Sequence, residues 1–253
     1  MRKIFLFFKN LQMFVLNRKI RFYYDDVNKV YCAKEGERFQ FFSIRQRGFR
    51  HYRKGLNYRA ESLAKTYGIH LIEFNKEDIV IECGANVGDL YMYLENKIKP
   101  DNYIAFEPSQ EEFNAILLNA KNSRCFSIGL GNKNETQTFY LNSRKADSSI
   151  IEPEKYSEKV SIDVTTLDSF CEKHKVRNIK LFKLEAEGFE PEILQGAKKI
   201  LQNIEYVAID GGYERGIEKE ETFSIQTNYL NSLGFEMQFV HLRIGRALFR
   251  RVN

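Results

Sequence analysis

Apolar positions change between two spacings along residues 69–253. Short apolar runs such as Ile79–Cys83 and Tyr103–Phe106 predict buried strands, and the 3.6-residue period of Gln110–Ala120 predicts a helix. Strands and helices alternate through short joints containing Gly, Pro or Asn, which is typical of βαβ units in a parallel sheet. The other predicted strands are Ile69–Phe74, Cys125–Gly129, Ile179–Leu184 and Tyr206–Ile209, and the other predicted helices are Asp89–Lys97, Leu167–Lys175, Pro191–Leu201 and Thr222–Leu233.

Two further pairs of apolar segments predict antiparallel strands. Thr136–Leu141 and Val160–Thr165 form a hairpin region, and Phe235–Leu242 and Ala247–Val252 are separated only by a turn that contains Gly. The second pair closes the sheet at the C-terminus. We therefore predict an α/β domain over residues 69–253, with a central, mostly parallel seven-stranded sheet and a C-terminal antiparallel hairpin.

Residues 1–68 differ from the rest of the chain in charge. The first 60 residues contain 15 Lys and Arg against 4 Asp and Glu, whereas the whole chain of 253 residues has a net charge of only +5. We predict a basic, mainly helical N-terminal extension over residues 1–68, with one helix over Ala60–Tyr67. Such a charge distribution indicates an anionic neighbour, which can be a nucleotide diphosphate, an acidic glycan, a membrane surface or nucleic acid, or simply a solvated basic face.

The first helix of the extension is amphipathic. Ile4, Phe8, Leu11 and Val15 recur at helical spacing among basic residues. We expect this stripe to pack on the main domain or on a second subunit of a homo-oligomer, and peripheral contact with a membrane is the alternative.

Composition and cysteine usage bear on location. Hydrophobic residues make up 43% and charged residues 29%, which excludes a broadly disordered chain. The four cysteines form no C-x-x-C pair, and no apolar run approaches the ~20 residues that cross a bilayer. We predict a cytoplasmic protein, with the inner face of the membrane as the alternative location.

A second basic segment mixes cations with aromatic residues. This interleaving can serve single-stranded nucleic acid, but no known RNA-binding module accompanies it, so we expect no nucleic-acid partner and keep an RNA methyltransferase as an alternative. The residues of the segment are Arg45, Arg47, Arg50, His51, Arg53, Lys54 and Arg59 with Phe49, Tyr52, Leu56 and Tyr58.

Two neighbouring strands end in carboxylates beside a glycine-rich turn. Strand Ile79–Cys83 contains Glu82 and leads into a turn over residues 84–88, and strand Tyr103–Phe106 is followed by Glu107. Ligands of open α/β sheets bind beyond these strand ends, and a carboxylate there can accept both hydroxyls of a ribose. The two acids suit the methionine and ribose ends of S-adenosylmethionine. The candidate cofactor-binding residues are Glu82, Gly84, Ala85, Asn86, Gly88, Glu107 and Pro108.

Longer motifs resemble one family. Residues 78–210, roughly half of the chain, resemble the FkbM family of S-adenosylmethionine-dependent methyltransferases. The resemblance implies the class I, Rossmann-like fold with sheet order 3-2-1-4-5-7-6, and O-methylation of a sugar. Glu82 and Glu185 stand where the family usually has Asp. The matching residues are Ile81–Gly88, Ala105–Pro108, Ser148-Ser149, Thr166–Asp168, Lys183–Glu190 and Leu194–Ala197.

Methyl transfer to a hydroxyl requires alignment of the two partners and a group that takes one proton. Glu185, Glu187 and Asp210 follow the strands next to the cofactor, and His241 lies on the hairpin, so these four are the candidate catalytic residues. Glu185, Asp210 and His241 can alternatively hold Mg or Mn, or the acids can bind substrate hydroxyls while His241 only packs. Lys183 is expected to be a structural ion-pair partner.

The predicted function is S-adenosylmethionine-dependent O-methylation of a sugar hydroxyl, on a nucleotide-linked sugar or a surface glycan precursor. The alternatives are an RNA methyltransferase and a non-catalytic scaffold on a methyltransferase fold.

Overall fold

A computed structural model of the chain describes residues 2–142 and 148–252. The N-terminal extension contains three helices and also three shorter strands that the sequence analysis did not predict. The strands form an antiparallel sheet in the order β1-β2-β3. The elements are α1 (Arg2–Val15), β1 (Arg21–Asp25), β2 (Val30–Glu35), β3 (Arg38–Phe42), α2 (Arg45–Tyr52) and α3 (Leu56–Thr66).

The rest of the chain alternates strands and helices as the sequence predicts. In chain order its elements are β4 (Ile79–Cys83), α4 (Tyr91–Leu94), β5 (Tyr103–Phe106), α5 (Gln110–Asn119), β6 (Arg124–Phe126), β7 (Gly129–Leu130), β8 (Glu135–Leu141), β9 (Glu158–Thr165), α6 (Leu167–His174), β10 (Ile179–Leu184), α7 (Glu190–Gln195), β11 (Ile204–Asp210), β12 (Tyr213–Arg215), β13 (Glu220–Glu221), α8 (Phe223–Ser232), β14 (Phe235–His241) and β15 (Arg246–Arg251).

Seven strands form the central sheet in the order β14-β15-β11-β10-β4-β5-β6. The pairs from β11 to β6 are parallel, and β15 runs antiparallel to both of its neighbours. Numbered by their order in the chain, these strands read 6-7-5-4-1-2-3, which is the expected order from the opposite edge. The order reverses between β4 and β10, and ligands of open α/β sheets bind at that point. The fold prediction is confirmed.

Several local predictions differ from the structure. Residues 69–71 form a 3-10 turn, so the predicted strand Ile69–Phe74 is wrong. Its apolar residues Ile69 and Ile72 are buried without pairing to a strand. The predicted helices Asp89–Lys97 and Pro191–Leu201 shorten to α4 and α7.

The extension packs on the turn that follows β4. Tyr52 Oη donates a hydrogen bond to Asp89 Oδ1 at 2.6 Å, and Arg59 Nε contacts Asp89 Oδ2 at 2.7 Å. Gln40 Nε2 donates to the carbonyl of Val87 at 3.1 Å. Burial raises the pKa of Asp89, but Arg59 and the Tyr52 hydroxyl outweigh it, so the pKa lies below its usual range. The extension therefore holds the turn in place, although the proposed domain boundary at residue 68 remains a prediction.

The packing of helix α1 differs in part from the prediction. Ile4, Phe8, Leu11 and Val15 are exposed, and Met13 on the opposite side of the helix is buried instead. The predicted stripe therefore does not pack on the main domain. Over residues 2–142 and 148–252, no helix has both the length and the apolarity needed to cross a membrane.

Candidate functional site

The turn after β4 forms the floor of the site. Gly84 has φ +70°, and a Cβ atom there would lie 1.9 Å from the carbonyl oxygen of Glu185. A side chain at this position would collide with backbone, so the close approach of the two strand ends requires glycine. Asn86 also has a positive φ of 51°, which asparagine tolerates better than most residues.

Glu107 lies at the tip of β5 and faces this turn. Its Oε2 accepts a hydrogen bond from the backbone N–H of Asn86 at 2.7 Å, and its Oε1 accepts one from Ser109 at 2.9 Å. Burial and the neighbouring Glu112 carboxylate raise the pKa of Glu107 to about 8, although the two N–H donors lower it. The carboxyl group is thus fixed at the position where a ribose is expected.

A narrow cleft opens beside Glu107. Apolar side chains line one part of it, namely Phe106, Ile128, Leu130 and Ile150, and Glu107, Pro108 and the turn residues Gly84 and Asn86 line another. The apolar wall suits a purine, Glu107 a ribose and the glycine turn the methionine chain. The donor set of this cleft, called here the cofactor cleft, therefore fits S-adenosylmethionine.

A second, more polar cleft of about 780 Å³ adjoins the first. It lies between α2 of the extension and the tips of β4 and β10, and we call it the polar cleft. Both clefts are lined by Arg47, Gly84, Asn86, Glu185 and Glu187. The two spaces therefore meet above the glycine turn.

Two cations neutralise three of the predicted acids. Lys183 Nζ lies 3.1 Å from Glu82 Oε1 and 2.5 Å from Glu185 Oε2. Arg246 Nη2 lies 3.1 Å from Glu185 Oε1, and Arg246 Nε lies 2.7 Å from Asp210 Oδ2. Burial raises the pKa of Glu185, but Lys183 and Arg246 together hold it well below its usual range. The structural role expected for Lys183 is confirmed.

The Arg246 guanidinium lies between Glu185 and Asp210, where the sequence analysis allowed a metal. Among residues 2–142 and 148–252, no group of three His, Cys, Asp or Glu side chains is arranged to hold a metal ion. Neither Asp210 nor His241 lines the two clefts. The Mg or Mn site suggested for Glu185, Asp210 and His241 does not fit this arrangement.

Glu187 lies on a turn that is held from both sides. Glu187 has φ 51°, in the left-handed region, and its backbone carbonyl accepts a hydrogen bond from Ser149 Oγ at 2.9 Å. Glu190 Oε1 accepts from the backbone N–H groups of Ala186 at 2.7 Å and Gly188 at 3.2 Å. Ser149 and Glu190, both within the FkbM-like motifs, therefore position Glu187 at the junction of the clefts.

Glu214 is a candidate residue that the sequence analysis missed. It lines the polar cleft, and its side chain hydrogen-bonds that of Glu187. Burial, then the charges of Asp210, Glu185 and Glu190, raise the pKa of Glu214 to about 7. No motif marked it, because it lies on the short strand β12 outside the FkbM-like segments.

The basic segment over residues 45–59 has two faces. Arg47, Arg50 and His51 line the polar cleft, whereas Phe49 and Tyr52 are buried in the core of the extension. Burial and then the charge of Arg59 lower the pKa of His51 to about 3, so this imidazole is neutral. Since most aromatic rings of the segment face inward, the interleaving reflects helix packing rather than a surface on which bases stack.

Asp168, in the Thr166–Asp168 motif, lines neither cleft and has a structural role. Its carboxylate accepts hydrogen bonds from the backbone N–H groups of Lys199 at 3.0 Å and Ile200 at 2.8 Å. We expect Asp168→Ala to lower the free energy of unfolding by about 2 kcal/mol, since these are hydrogen bonds to a charged group. That loss corresponds to a fall in Tm of about 4–8 °C, measurable by calorimetry.

Cofactor affinity should not change in Asp168→Ala, because the residue lines neither cleft. Glu172→Ala, which removes an exposed acid from the same helix, is the matched control for stability. A normal Tm for Asp168→Ala would contradict the assignment.

The sheet order, the antiparallel β15 and the acid-flanked glycine turn define a class I S-adenosylmethionine-dependent methyltransferase. The family model for the Methyltransferase FkbM domain matches residues 82–237. The chain therefore belongs to the FkbM methyltransferase family. The resemblance to this family that the sequence motifs indicated is confirmed.

Individual relatives are distant. "Methyltransferase 1" of Beauveria bassiana (strain ARSEF 2860) is 22% identical over 187 residues, which cover 64% of this chain and 74% of the relative. The solved FkbM methyltransferase from Methylobacillus flagellatus KT is 16% identical with a TM-score of 0.48, over 72% of this chain and 45% of that one. Aeropyrum pernix fibrillarin with bound S-adenosyl-L-methionine is 14% identical with a TM-score of 0.46, over 88% and 94%. The chain thus spans less than half of the solved FkbM protein.

Proposed function

We propose that the protein transfers a methyl group from S-adenosylmethionine to the hydroxyl of a sugar that carries an anionic group, such as a nucleotide-linked sugar or a surface glycan precursor. The observation that carries this proposal is that Glu187 lines both clefts. A carboxylate at the junction of the donor and acceptor spaces can take the hydroxyl proton as the oxygen is methylated.

The turn residues Gly84, Ala85 and Asn86 hold the methionine part of the cofactor in this proposal. Gly88 lines neither cleft and packs against Ile116, so we assign it only to the shape of the turn. Glu107 and Pro108 hold the ribose. Glu82 contributes indirectly, because its ion pair holds the Lys183 side chain in place. When bound, S-adenosylmethionine supplies a methyl group already activated on a sulfonium. The protein then has to align the acceptor oxygen with that methyl group and remove one proton.

The acids of the polar cleft divide this work. Glu187 accepts the proton, and Glu214 beside it, with its pKa raised to about 7, shares a hydrogen bond with it. Glu185, kept ionised by Lys183 and Arg246, accepts a hydrogen bond from a substrate hydroxyl. Asp210 positions Arg246, so we assign it no contact with substrate, and we assign none to His241.

The anionic group of the acceptor binds to Arg47 and Arg50. Both line the polar cleft, where α2 contributes them, and the acids Glu187 and Glu214 line the same cleft. Arginine suits phosphate and carboxylate because its donors are arranged to bind two oxygens at once.

The test is incubation of the purified protein with labelled S-adenosylmethionine and a panel of nucleotide sugars, neutral sugars and RNA. We expect label on a sugar that carries phosphate or carboxylate, equally with and without EDTA. Label on RNA alone would favour an RNA methyltransferase, and failure of the cofactor to bind in a calorimeter would favour a scaffold. Either result overturns the proposal. Label found only on neutral sugars would overturn the part of the proposal that gives the acceptor an anionic group.

Replacing both cleft arginines tests the anionic part directly. We expect Arg47→Gln with Arg50→Gln to raise KM for the labelled acceptor by about tenfold to a hundredfold, because a hydrogen bond to a charged group contributes about 1.5–3 kcal/mol. Arg50→Gln alone should leave the dissociation constant of the cofactor within about threefold of the wild type, because Arg50 lines only the polar cleft whereas Arg47 lines both. Arg53→Gln, which removes an exposed cation outside the cleft, is the control.

A further inference from the structure

Helix α1 has a large apolar surface that faces solvent. The side chains lie at the i, i+3, i+4 and i+7 spacing of one helix face and are between 45% and 74% exposed. A face of this kind on a soluble domain usually marks a contact with another surface. We call it the outer face of α1, and it consists of Ile4, Phe7, Phe8, Leu11, Phe14 and Val15.

The opposite side of α1 is fixed to the extension. Met13 is buried, and Phe5 and Leu6 pack against the same core. Asn10 Oδ1 accepts a hydrogen bond from the backbone N–H of Phe22 at 2.7 Å, and Asn10 Nδ2 donates to the carbonyl of Phe22 at 2.9 Å. The helix therefore cannot turn its outer face inward without losing these contacts.

The charges around the outer face are positive. Helix α1 contains no acidic residue, and the exposed Lys3, Arg18 and Lys19 lie at or beyond its ends. Arg2 is partly offset by Asp26, at 3.7 Å. Basic residues near an anionic lipid surface each contribute about 1 kcal/mol to binding.

A second copy of the chain is a poorer partner for this face. Pairing two copies through this face would bring the like charges of Lys3, Arg18 and Lys19 together.

We propose that the outer face of α1 docks on the surface of an anionic lipid bilayer, with the helix lying in the plane of the interface. Phenylalanine and leucine side chains enter the boundary between headgroups and acyl chains, and the lysines and arginines contact anionic headgroups. The contact is peripheral and reversible, because a single short helix binds a bilayer only weakly.

Vesicle flotation tests the proposal with the full chain. We expect the protein to float with vesicles of phosphatidylcholine and phosphatidylglycerol at 3:1, to float less at high salt, and to bind vesicles of phosphatidylcholine alone at least about tenfold more weakly. Phe7→Ser with Phe14→Ser should reduce binding to the anionic vesicles at least about tenfold, because burial of a phenylalanine contributes about 1.5–3 kcal/mol.

Ile225→Ser, which removes an exposed apolar side chain from α8, should bind the vesicles like the wild type. The melting temperature and cofactor affinity of the double variant verify that it folds. The proposal is overturned if the wild type does not float, or if the double variant floats equally well. A dimer that the double substitution disrupts, without vesicle binding by the wild type, would assign the face to a second copy instead.

Discussion

Glu107→Ala is expected to weaken S-adenosylmethionine binding by about a hundredfold or more. A carboxylate that accepts two ribose hydroxyls makes two hydrogen bonds to a charged group, and each contributes about 1.5–3 kcal/mol. The substitution also leaves the N–H groups of Asn86 and Ser109 without their present acceptor, which loosens the glycine turn. Isothermal titration calorimetry with the cofactor gives the dissociation constant directly.

Glu111→Ala is the matched control for this experiment. Glu111 is an exposed acid in the first turn of α5, close to Glu107 in sequence but absent from both clefts. Its removal takes away a carboxyl group of the same size without touching the site. Cofactor affinity within about threefold of the wild type in Glu107→Ala would remove the ribose assignment.

The same residue predicts a pH dependence. The pKa of Glu107 is raised to about 8, and only its ionised form can accept the two ribose hydroxyls on both oxygens in charge-assisted hydrogen bonds. Below pH 8, binding must therefore release a proton, and affinity should rise with pH by up to about tenfold per unit before levelling off above pH 8. Titrations between pH 6 and 9 should show this rise in the wild type and lose it in Glu107→Gln.

The sequence predicts the central sheet well because its strands are buried on both faces. Such strands read as nearly continuous apolar runs, as in Ile79–Cys83 and Tyr103–Phe106. The same signal misleads at residues 69–74. Ile69 and Ile72 are as buried as strand residues, but burial alone does not provide a strand with a hydrogen-bonding partner.

The extension was harder to predict because consecutive aromatic residues hide its alternation. Phe41 and Phe42 adjoin each other in β3, as do Tyr23 and Tyr24 in β1, although neighbours along a strand point to opposite faces. No local feature of the sequence indicates that the apolar stripe of α1 faces outward either. The helix carries apolar residues on two faces, and only the tertiary structure decides which of them is buried.

The ion pairs of the site lie beyond sequence reasoning for a different reason. Arg246 contacts Glu185 and Asp210 because β15 inserts beside β11 after a long stretch of chain. Nothing near Arg246 in the sequence marks it as a partner of these acids. A pair of carboxylates at neighbouring strand ends therefore suggested a metal, whereas a guanidinium from a distant strand neutralises them.

Glu187 differs from the other acids predicted to be catalytic in its surroundings. Glu185 and Asp210 are each paired with cations, which lower the basicity of Glu185. Glu187 lines both clefts and hydrogen-bonds Glu214, a carboxyl group whose pKa is raised to about 7 by burial and by the neighbouring acids. Since its cations make Glu185 a weak base, Glu187 is the acid at the junction of the clefts to which we assign the hydroxyl proton.

Glu187→Gln should therefore lower kcat for the labelled acceptor by about a hundredfold to ten-thousandfold, which is the range of general-base catalysis. Cofactor affinity should change by less than about threefold, because glutamine keeps the size of the side chain and the turn is held by Ser149 and Glu190. Glu236→Gln, on the exposed side of β14, removes an equal charge outside the site. Single-turnover rates measured with saturating acceptor separate the chemical step from binding. A rate near that of the wild type in Glu187→Gln would transfer the proton acceptor to another group of the cleft.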